Sequence, residues 1–334
     1  MNKKKVGIIG LGIGEKHVLA YQSHPSCEVV SLCDFNPDKF EMAKEKYVDI
    51  KVFMEADEIL NDPEIDIISI ASYDNYHCEQ ALKAIANNKH IMIEKPFCLY
   101  REEAIRIKDA LKSKPNIKMS SNLVLRTTPR FRWLKDRISE GNMGQLYHVE
   151  GDYNYGRLHK LTQGWRGKID FYSVVYGGGL HIIDLLRWLT GDEVVEVSAY
   201  GNNISSRGTN FRYNDMVVAI LRFASGMTGK IAANFSCVQP HFHELSIYGT
   251  MATFKNRSEE GILIKSRDTD VPAVSIKEDY PGINQKEMIH SFVNSIITGD
   301  KPIVSEDDVF KSMAVCFAIE RAATLSRSVE VEYM

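Results

Sequence analysis

The sequence predicts two architectures in succession. Residues 1–122 read as an α/β domain with a doubly wound parallel sheet, and residues 123–334 as an α+β domain with a large, mostly antiparallel open sheet. Three observations carry this. A chain of 334 residues is too long for one ordinary domain and comfortable for two. The first third alternates short apolar runs with helical stretches, the rhythm of βαβ units. After Asn122 the apolar runs lengthen and alternate in and out, the pattern of antiparallel strands with one face covered.

The elements follow in order. Val6-Gly7-Ile8-Ile9 is a first strand ending in glycines, and His17 to Gln22 continues as helix. Val29 to Cys33 is a second strand, closed by Asp34, and Asp38 to Tyr47 is a helix with Asn36 or Pro37 at its start. Ile65 to Ile70, His90 to Ile93 and Lys118 to Ser120 are the remaining strands, separated by helices over Tyr76 to Asn87 and Arg101 to Ser113. In the second half Pro129 to Glu140 reads as one amphipathic helix ended by Gly141, and His181 to Leu189 as a helical insert. Strands are expected at Leu146 to Tyr155, Val194 to Tyr200, Asp215 to Phe223, Met227 to Phe235 and His243 to Tyr248. Ser225-Gly226 marks the turn between the third and fourth of these. Gln285 to Thr298 and Glu306 to Ser326 close the chain as helices. Helices on one face of this sheet would leave the other exposing apolar surface, so a homodimer or homotetramer is expected.

Composition excludes several classes of function. The net charge is −3 and the pI near 6.4, with one basic run at Lys3-Lys4-Lys5, so nothing favours nucleic acid or an anionic membrane surface. No apolar stretch approaches the ~20 residues that span a bilayer, and Val6 to Ile9 is too short for a signal-peptide core. The six cysteines are scattered without a CxxC pair, which suits reduced thiols and a cytoplasmic setting. His241 and His243, with Glu244 next, have the period-2 spacing that puts two histidines on one face of a strand, but no third ligand lies near in sequence, and no metal is expected.

Gly10-Leu11-Gly12-Ile13-Gly14 follows a strand and opens a helix. Small residues there let backbone approach a pyrophosphate, which the helix N-terminus then holds with unpaired N–H groups. The spacing is GxGxG, with Glu15 where the usual third glycine falls. Asp34, at the end of the second strand, stands where a carboxylate accepts bonds from ribose hydroxyls. It also repels a 2′-phosphate, and the neighbouring Phe35 and Asn36 bring no cation, so NAD is favoured over NADP.

Glu94-Lys95-Pro96 at a strand end, after a dinucleotide fold, resembles the Gfo/Idh/MocA oxidoreductases. Ser72-Tyr73-Asp74-Asn75-Tyr76-His77 occupies the slot of the family's Thr-Pro-Asn-x-x-His, and Asn122 matches the Asn that ends the nucleotide domain. Trp165-Arg166, Gly177-Gly178-Gly179-Leu180-His181 and Tyr248-Gly249-Thr250 extend the likeness over essentially the whole chain. The resemblance implies an N-terminal Rossmann domain, a C-terminal substrate and oligomerisation domain, and hydride transfer on a sugar, cyclitol or nucleotide-linked sugar. It places Gly10, Gly12, Ile13, Gly14, Asp34, Phe35, Ser72, Tyr73, His77, Glu94, Lys95 and Asn122 at the cofactor. Lys95, Arg126, Trp165, Arg166, Tyr176 and His181 fall at the substrate.

The chemistry of these residues suits that reading. An ammonium at Lys95 can stabilise alkoxide character on the reacting oxygen. His181, after three glycines, has the titration range of a general acid or base. Glu94 either orients Lys95, touches the cofactor or is a structural partner. His77 either positions the nicotinamide side or packs the helix start. Arg126 and Arg166 either clamp an anionic group or tie elements together. The family often has Asp four residues before the histidine, where this chain has Gly177; Lys95 and His181 then divide the work, or Tyr176 helps. Asp184 reads as stabilising its helix rather than replacing that base. Two other functions stay open: tightly held NAD serving a reaction without net redox change, and a non-catalytic NAD-binding regulator.

Overall fold

A computed structural model describes residues 3–334. Its contacts divide into two compact units: residues up to Leu123 with Asn284–Phe310 and Met334, and Val124–Ile283 with Lys311–Tyr333.

The first unit is built on six strands: β1 (Lys4–Ile9), β2 (Cys27–Cys33), β3 (Lys51–Phe53), β4 (Ile67–Ile70), β5 (His90–Ile93) and β6 (Met119–Ser121). They lie in the order β3-β2-β1-β4-β5-β6, every neighbouring pair parallel. The order reverses between β1 and β4, so the strand ends there form the switch point at which doubly wound sheets take ligands. β4 and β5 are buried almost throughout, as expected of parallel strands covered on both faces. Helix Pro37–Lys46 starts as its sequence demands, with Pro37 in the first turn and the Asn36 side chain accepting the Lys39 N–H at 3.2 Å. β3 and the helix Ala56–Leu60 are additions to the sequence reading; three and five residues are too short to display a period.

The assignment of all of 123–334 to the second domain is corrected by the helix Gln285–Thr298. Its stripe of Ile289, Phe292 and Val293 joins one apolar cluster with Val6, Ile8, Val18, Leu32 and Met92 of the first unit. Amphipathic spacing fixes which face of a helix is buried, but not what it is buried against.

The second unit carries nine strands: β7 (Leu146–Asn154), β8 (Val194–Asn202), β9 (Met216–Phe223), β10 (Thr228–Asn234), β11 (Phe242–Gly249), β12 (Thr253–Asn256), β13 (Gly261–Ile264), β14 (Val274–Ile276) and β15 (Val329–Glu330). Their order is β14-β13-β12-β11-β7-β10-β9-β8-β15, antiparallel except for the parallel pair β10–β7. The Ser225-Gly226 turn joins β9 to β10, with Gly226 at φ +89° and Phe223 N–H bonded to the Met227 carbonyl at 2.9 Å. Helix Leu180–Thr190 packs on the face of β7 that carries its odd-numbered residues, the same face as the odd-numbered residues of β9, β10 and β11. Gly151 of β7 makes the approach possible, since a Cβ there would lie 2.5 Å from Ile182. The even-numbered face is open, and here the sequence expectation needs correction: it is mixed rather than apolar. Tyr200 and Ile220 are exposed on it, beside the cross-strand ion pairs Lys230–Asp152 at 2.6 Å and Arg222–Glu196 at 2.9 Å. Strand alternation locates an outward face, but only the register between strands shows which charges meet there.

Candidate active site

In the first unit the glycine-rich turn carries a division of labour among its residues. Gly10 has φ +90°, and a Cβ on it would fall 2.3 Å from the Ala71 carbonyl oxygen, so only glycine fits. Gly14 packs its helix close to the sheet, with Ile8 and Ala71 at 3.2 and 3.3 Å from a notional Cβ. Gly12 is exposed and meets nothing nearer than Lys39 Nζ at 3.5 Å, which leaves its backbone open beside the start of helix Gly14–Gln22. Ile13 is the N-cap residue of that helix. The first turn thus presents unpaired N–H groups to an anion.

Asp34 is buried at the end of β2. Its Oδ2 accepts the Leu11 N–H at 2.8 Å and its Oδ1 the Asn36 N–H at 2.9 Å, so the carboxylate ties the glycine turn to the second βα connection. The sequence reading found no cation here. The structure supplies one from the following helix: Lys39 Nζ lies 3.5 Å from Asp34 Oδ2. Phe35 is exposed and stands edge-on to Tyr73 at 5.3 Å and to Tyr76 at 6.3 Å, a small aromatic cup beside Asp34. Tyr76 was not singled out in the sequence, because nothing linear links it to Phe35. Ser72 donates to Gln80 Oε1 at 2.7 Å.

At the end of β5 the chain turns through a cis Lys95-Pro96 bond. His77 is fully buried, with Nδ1 at 2.6 Å from the Pro96 carbonyl oxygen and Nε2 at 3.2 Å from that of Ser72. Of the two readings of His77, this favours packing: the ring braces the turn that follows Lys95. Glu94 lies in a buried polar group that the sequence reading missed in part. Its Oε1 accepts from Asn122 Nδ2 at 2.6 Å and from His17 Nε2 at 3.2 Å, and His17 Nδ1 meets Ser69 Oγ at 2.9 Å. Burial pushes the Glu94 carboxyl up, but His17, the Lys95 charge and Asn122 outweigh it and hold it down at about 2. His17 sits three residues into its helix, on the face turned to the sheet, and that position is the one signal that could have pointed to it.

In the second unit a short π-helical turn over Val175–Gly179 leads into helix Leu180–Thr190, which carries His181 in its first turn. His181 is nearly buried and stacks on Tyr153 of β7, centroids 5.9 Å apart. Tyr153 also contacts Tyr155, Phe235, His241 and His243, so an aromatic and imidazole floor surrounds the expected catalytic histidine. His241 and His243 do share a face, at 4.7 Å between rings. His243, however, is committed to Tyr280, whose hydroxyl meets its Nδ1 at 2.7 Å and accepts its backbone N–H at 2.8 Å. Burial, with a smaller push from His241, lowers His243 to about 3.

Gly177 has a steric cause. A Cβ at this position would fall 2.0 Å from the Tyr172 hydroxyl and 2.7 Å from its ring. Tyr172 is buried and accepts from Arg166 Nε at 3.0 Å, and the Arg166 guanidinium lies over Trp165 at 4.7 Å. Trp165, Arg166 and Gly177 are therefore brought together by Tyr172. The Tyr176 ring stands edge-on to Phe171 and Phe317. Of the two readings of Arg126, the tie between elements is the one its contacts fit: its fork holds Asp184 at 2.6 and 2.9 Å, both residues buried. Asp184 in turn accepts from Ser312 Oγ at 3.2 Å, a tie between elements rather than a spare base.

This geometry agrees with what known proteins show. A model of an oxidoreductase family with an NAD-binding Rossmann fold matches residues 4–122, and a model of the GFO/IDH/MocA C-terminal domain matches residues 131–255. The chain belongs to the Gfo/Idh/MocA family. Relatives in this family include a myo-inositol 2-dehydrogenase of Thermotoga maritima, 23% identical over 341 residues and covering 98% of both chains. A levoglucosan dehydrogenase of Pseudarthrobacter phenanthrenivorans is 25% identical over 311 residues, covering 81% of this chain and 78% of its own. A solved levoglucosan dehydrogenase, in complex with NADH and L-sorbose, superposes with a TM-score of 0.87 at 25% identity, covering 99% of each chain. Membership in the Gfo/Idh/MocA family makes this chain an NAD-binding oxidoreductase, as the sequence reading expected, and its two sheets are the family's two domains.

Proposed function

We propose that this protein is an NAD-dependent dehydrogenase that exchanges a hydride with a secondary alcohol of a sugar or cyclitol, and that Lys95 and His181 carry the chemistry. The observation that carries the reading is the built nucleotide turn of the first unit, to which the second unit adds a histidine on an aromatic floor. The residues fit the dinucleotide. Gly12 leaves backbone open at a helix start, and the Phe35–Tyr73–Tyr76 cup suits a planar base beside Asp34. Asn122 Oδ1 is a buried acceptor with no partner among the described residues, left over for a ligand donor. Bound NAD supplies the two-electron acceptor.

The chain's own residues do the rest. His181 takes the hydroxyl proton as the alcohol becomes a ketone, and returns it in reverse. Lys95 stabilises negative charge on the reacting oxygen while the C–H bond breaks. Tyr155, half-buried and stacked on the buried Tyr153, offers flat apolar surface to the C–H face of a sugar ring, and His241 adds a polar edge. Arg166, set by Tyr172, is the cation for an anionic substituent. The substrate class is supported by the inositol and levoglucosan dehydrogenases named above. The reading also takes the open face of the nine-stranded sheet as the contact in a homodimer or homotetramer. Location is proposed as cytoplasmic, which suits six cysteines present as thiols and the absence, among the described residues, of any helix long and apolar enough to cross a membrane.

The test is a panel of inositols, anhydrosugars, hexoses and nucleotide sugars with NAD and NADP, followed by the growth of reduced-nicotinamide absorbance. Turnover of at least one neutral polyol with NAD is expected. Activity confined to non-carbohydrate alcohols, or none on the whole panel, would overturn the substrate assignment.

A further inference from the structure

Four separate stretches of the first unit contribute to one buried polar chain: Ser69 on β4, His17 on helix Gly14–Gln22, Glu94 after β5 and Asn122 after β6. Glu94 as a carboxylate only accepts, so His17 Nε2 carries the hydrogen toward Oε1 at 3.2 Å. On the other side of the ring His17 Nδ1 meets Ser69 Oγ at 2.9 Å. Asn122 donates to the same Oε1 at 2.6 Å. The other oxygen, Oε2, accepts the backbone N–H of Lys95 at 3.3 Å. A histidine and an amide thus converge on one oxygen of the carboxylate, with a serine behind the histidine, while the second oxygen holds the main chain of Lys95.

Packing alone does not call for this. A carboxylate taken out of water costs several kcal/mol unless paired, and an apolar residue of similar size would fill the space at no such cost. The charges facing Glu94 are His17 from the helix and Lys95 from its own strand end, with Asn122 as the neutral donor; behind His17 lie Ser69 and the buried Tyr21 hydroxyl.

We propose that His17 is a positioning residue for the reaction: anchored on Ser69, it fixes Glu94 as a carboxylate that sets the backbone and charge of Lys95. The proposal rests on the hydride-transfer reading for its consequence in turnover, but the relay can be measured without it. The direction of the Glu94 shift supports the geometry.

The experiment uses the full chain without cofactor, labelled with ¹³C at the glutamate carboxyls. The Glu94 signal is identified by its loss in Glu94→Gln and titrated from pH 8 to 2. In the wild type it stays ionised to the low end of that range. In His17→Leu its midpoint rises by about one pH unit or more, the size of effect that losing a charge-assisted hydrogen bond has on a buried carboxyl. Ser69→Ala moves it the same way by less, and His17→Gln, which restores an N–H donor, brings it part of the way back. With a substrate in hand, the acid limb of kcat/KM moves with the Glu94 midpoint across the series. If His17→Leu does not fold, Ser69→Ala decides. A Glu94 midpoint that no variant moves, or one that moves while the pH profile of turnover stays still, overturns the proposal. A wild-type protein inert on every sugar, with the Glu94 midpoints behaving as expected, sinks the hydride reading and leaves the relay standing.

Discussion

Asp34 illustrates what a single residue can and cannot reveal. Its place at the end of β2 was legible from spacing, and with it the expectation of a ribose-binding carboxylate. Its bond to the Leu11 N–H and the approach of Lys39 were not, because both partners come from other turns of the chain. The two neighbours act in opposite directions. The carboxylate repels a 2′-phosphate, while the ammonium would attract one. Asp34→Ser removes the repulsion and keeps the cation, so NADPH affinity should rise relative to NADH by roughly tenfold, about 1.4 kcal/mol. Lys39→Ala in the Asp34→Ser background should remove the gain; fluorescence titration with both cofactors reads each step. Gly177 is the second residue whose role emerges only in three dimensions. The sequence registers it as a missing carboxylate; the structure finds its side-chain space filled by Tyr172. Gly177→Ala should therefore lose about 1–3 kcal/mol of stability, the ordinary cost of overpacking, and Gly177→Asp should lose at least as much without gaining activity. A thermal midpoint unchanged in Gly177→Ala would mean that Tyr172 moves aside freely.

Among the elements, legibility followed length and local punctuation. The strands from Leu146 to Tyr248 were readable because alternation ran for seven residues or more, and helix Gln285–Thr298 because its apolar stripe and Gly299 mark both face and end. β12 to β15 were not, since strands of two to four residues draw their order from neighbours rather than from a pattern of their own. Strand β11 also carries a testable pH response. His243 is held neutral in the folded state, its value lowered to about 3 by burial and then by His241. In the unfolded chain it binds a proton near 6.5. Below that the unfolded state takes up protons that the folded state refuses. The stabilising contribution is thus complete above about pH 6.5 and is lost as pH falls toward 3, at up to about 1.4 kcal/mol per unit. Urea unfolding at pH 7, 6 and 5 should show this decline, and His243→Asn should flatten it. An identical slope in the variant would assign the acid sensitivity to other groups.

At the scale of the whole molecule, the sequence conveyed the kinds of domain and most of the nucleotide turn, but not that the chain returns to its first unit at Asn284. It conveyed a sheet with an open face, but not the ion pairs on it. That mixed face should still join copies of the chain: sedimentation at micromolar concentration is expected to show a dimer or tetramer. A monomer at every concentration would remove this surface from the account. The central claim is that Lys95 and His181 carry the hydride chemistry. Stopped-flow measurement of the hydride step in Lys95→Met and His181→Asn tests it most directly. The account predicts losses of about 10²–10³ for the first and about 10²–10⁴ for the second, with a flattened pH dependence near neutrality. Both variants retaining more than roughly a tenth of the wild-type rate, far above what those losses leave, would contradict it.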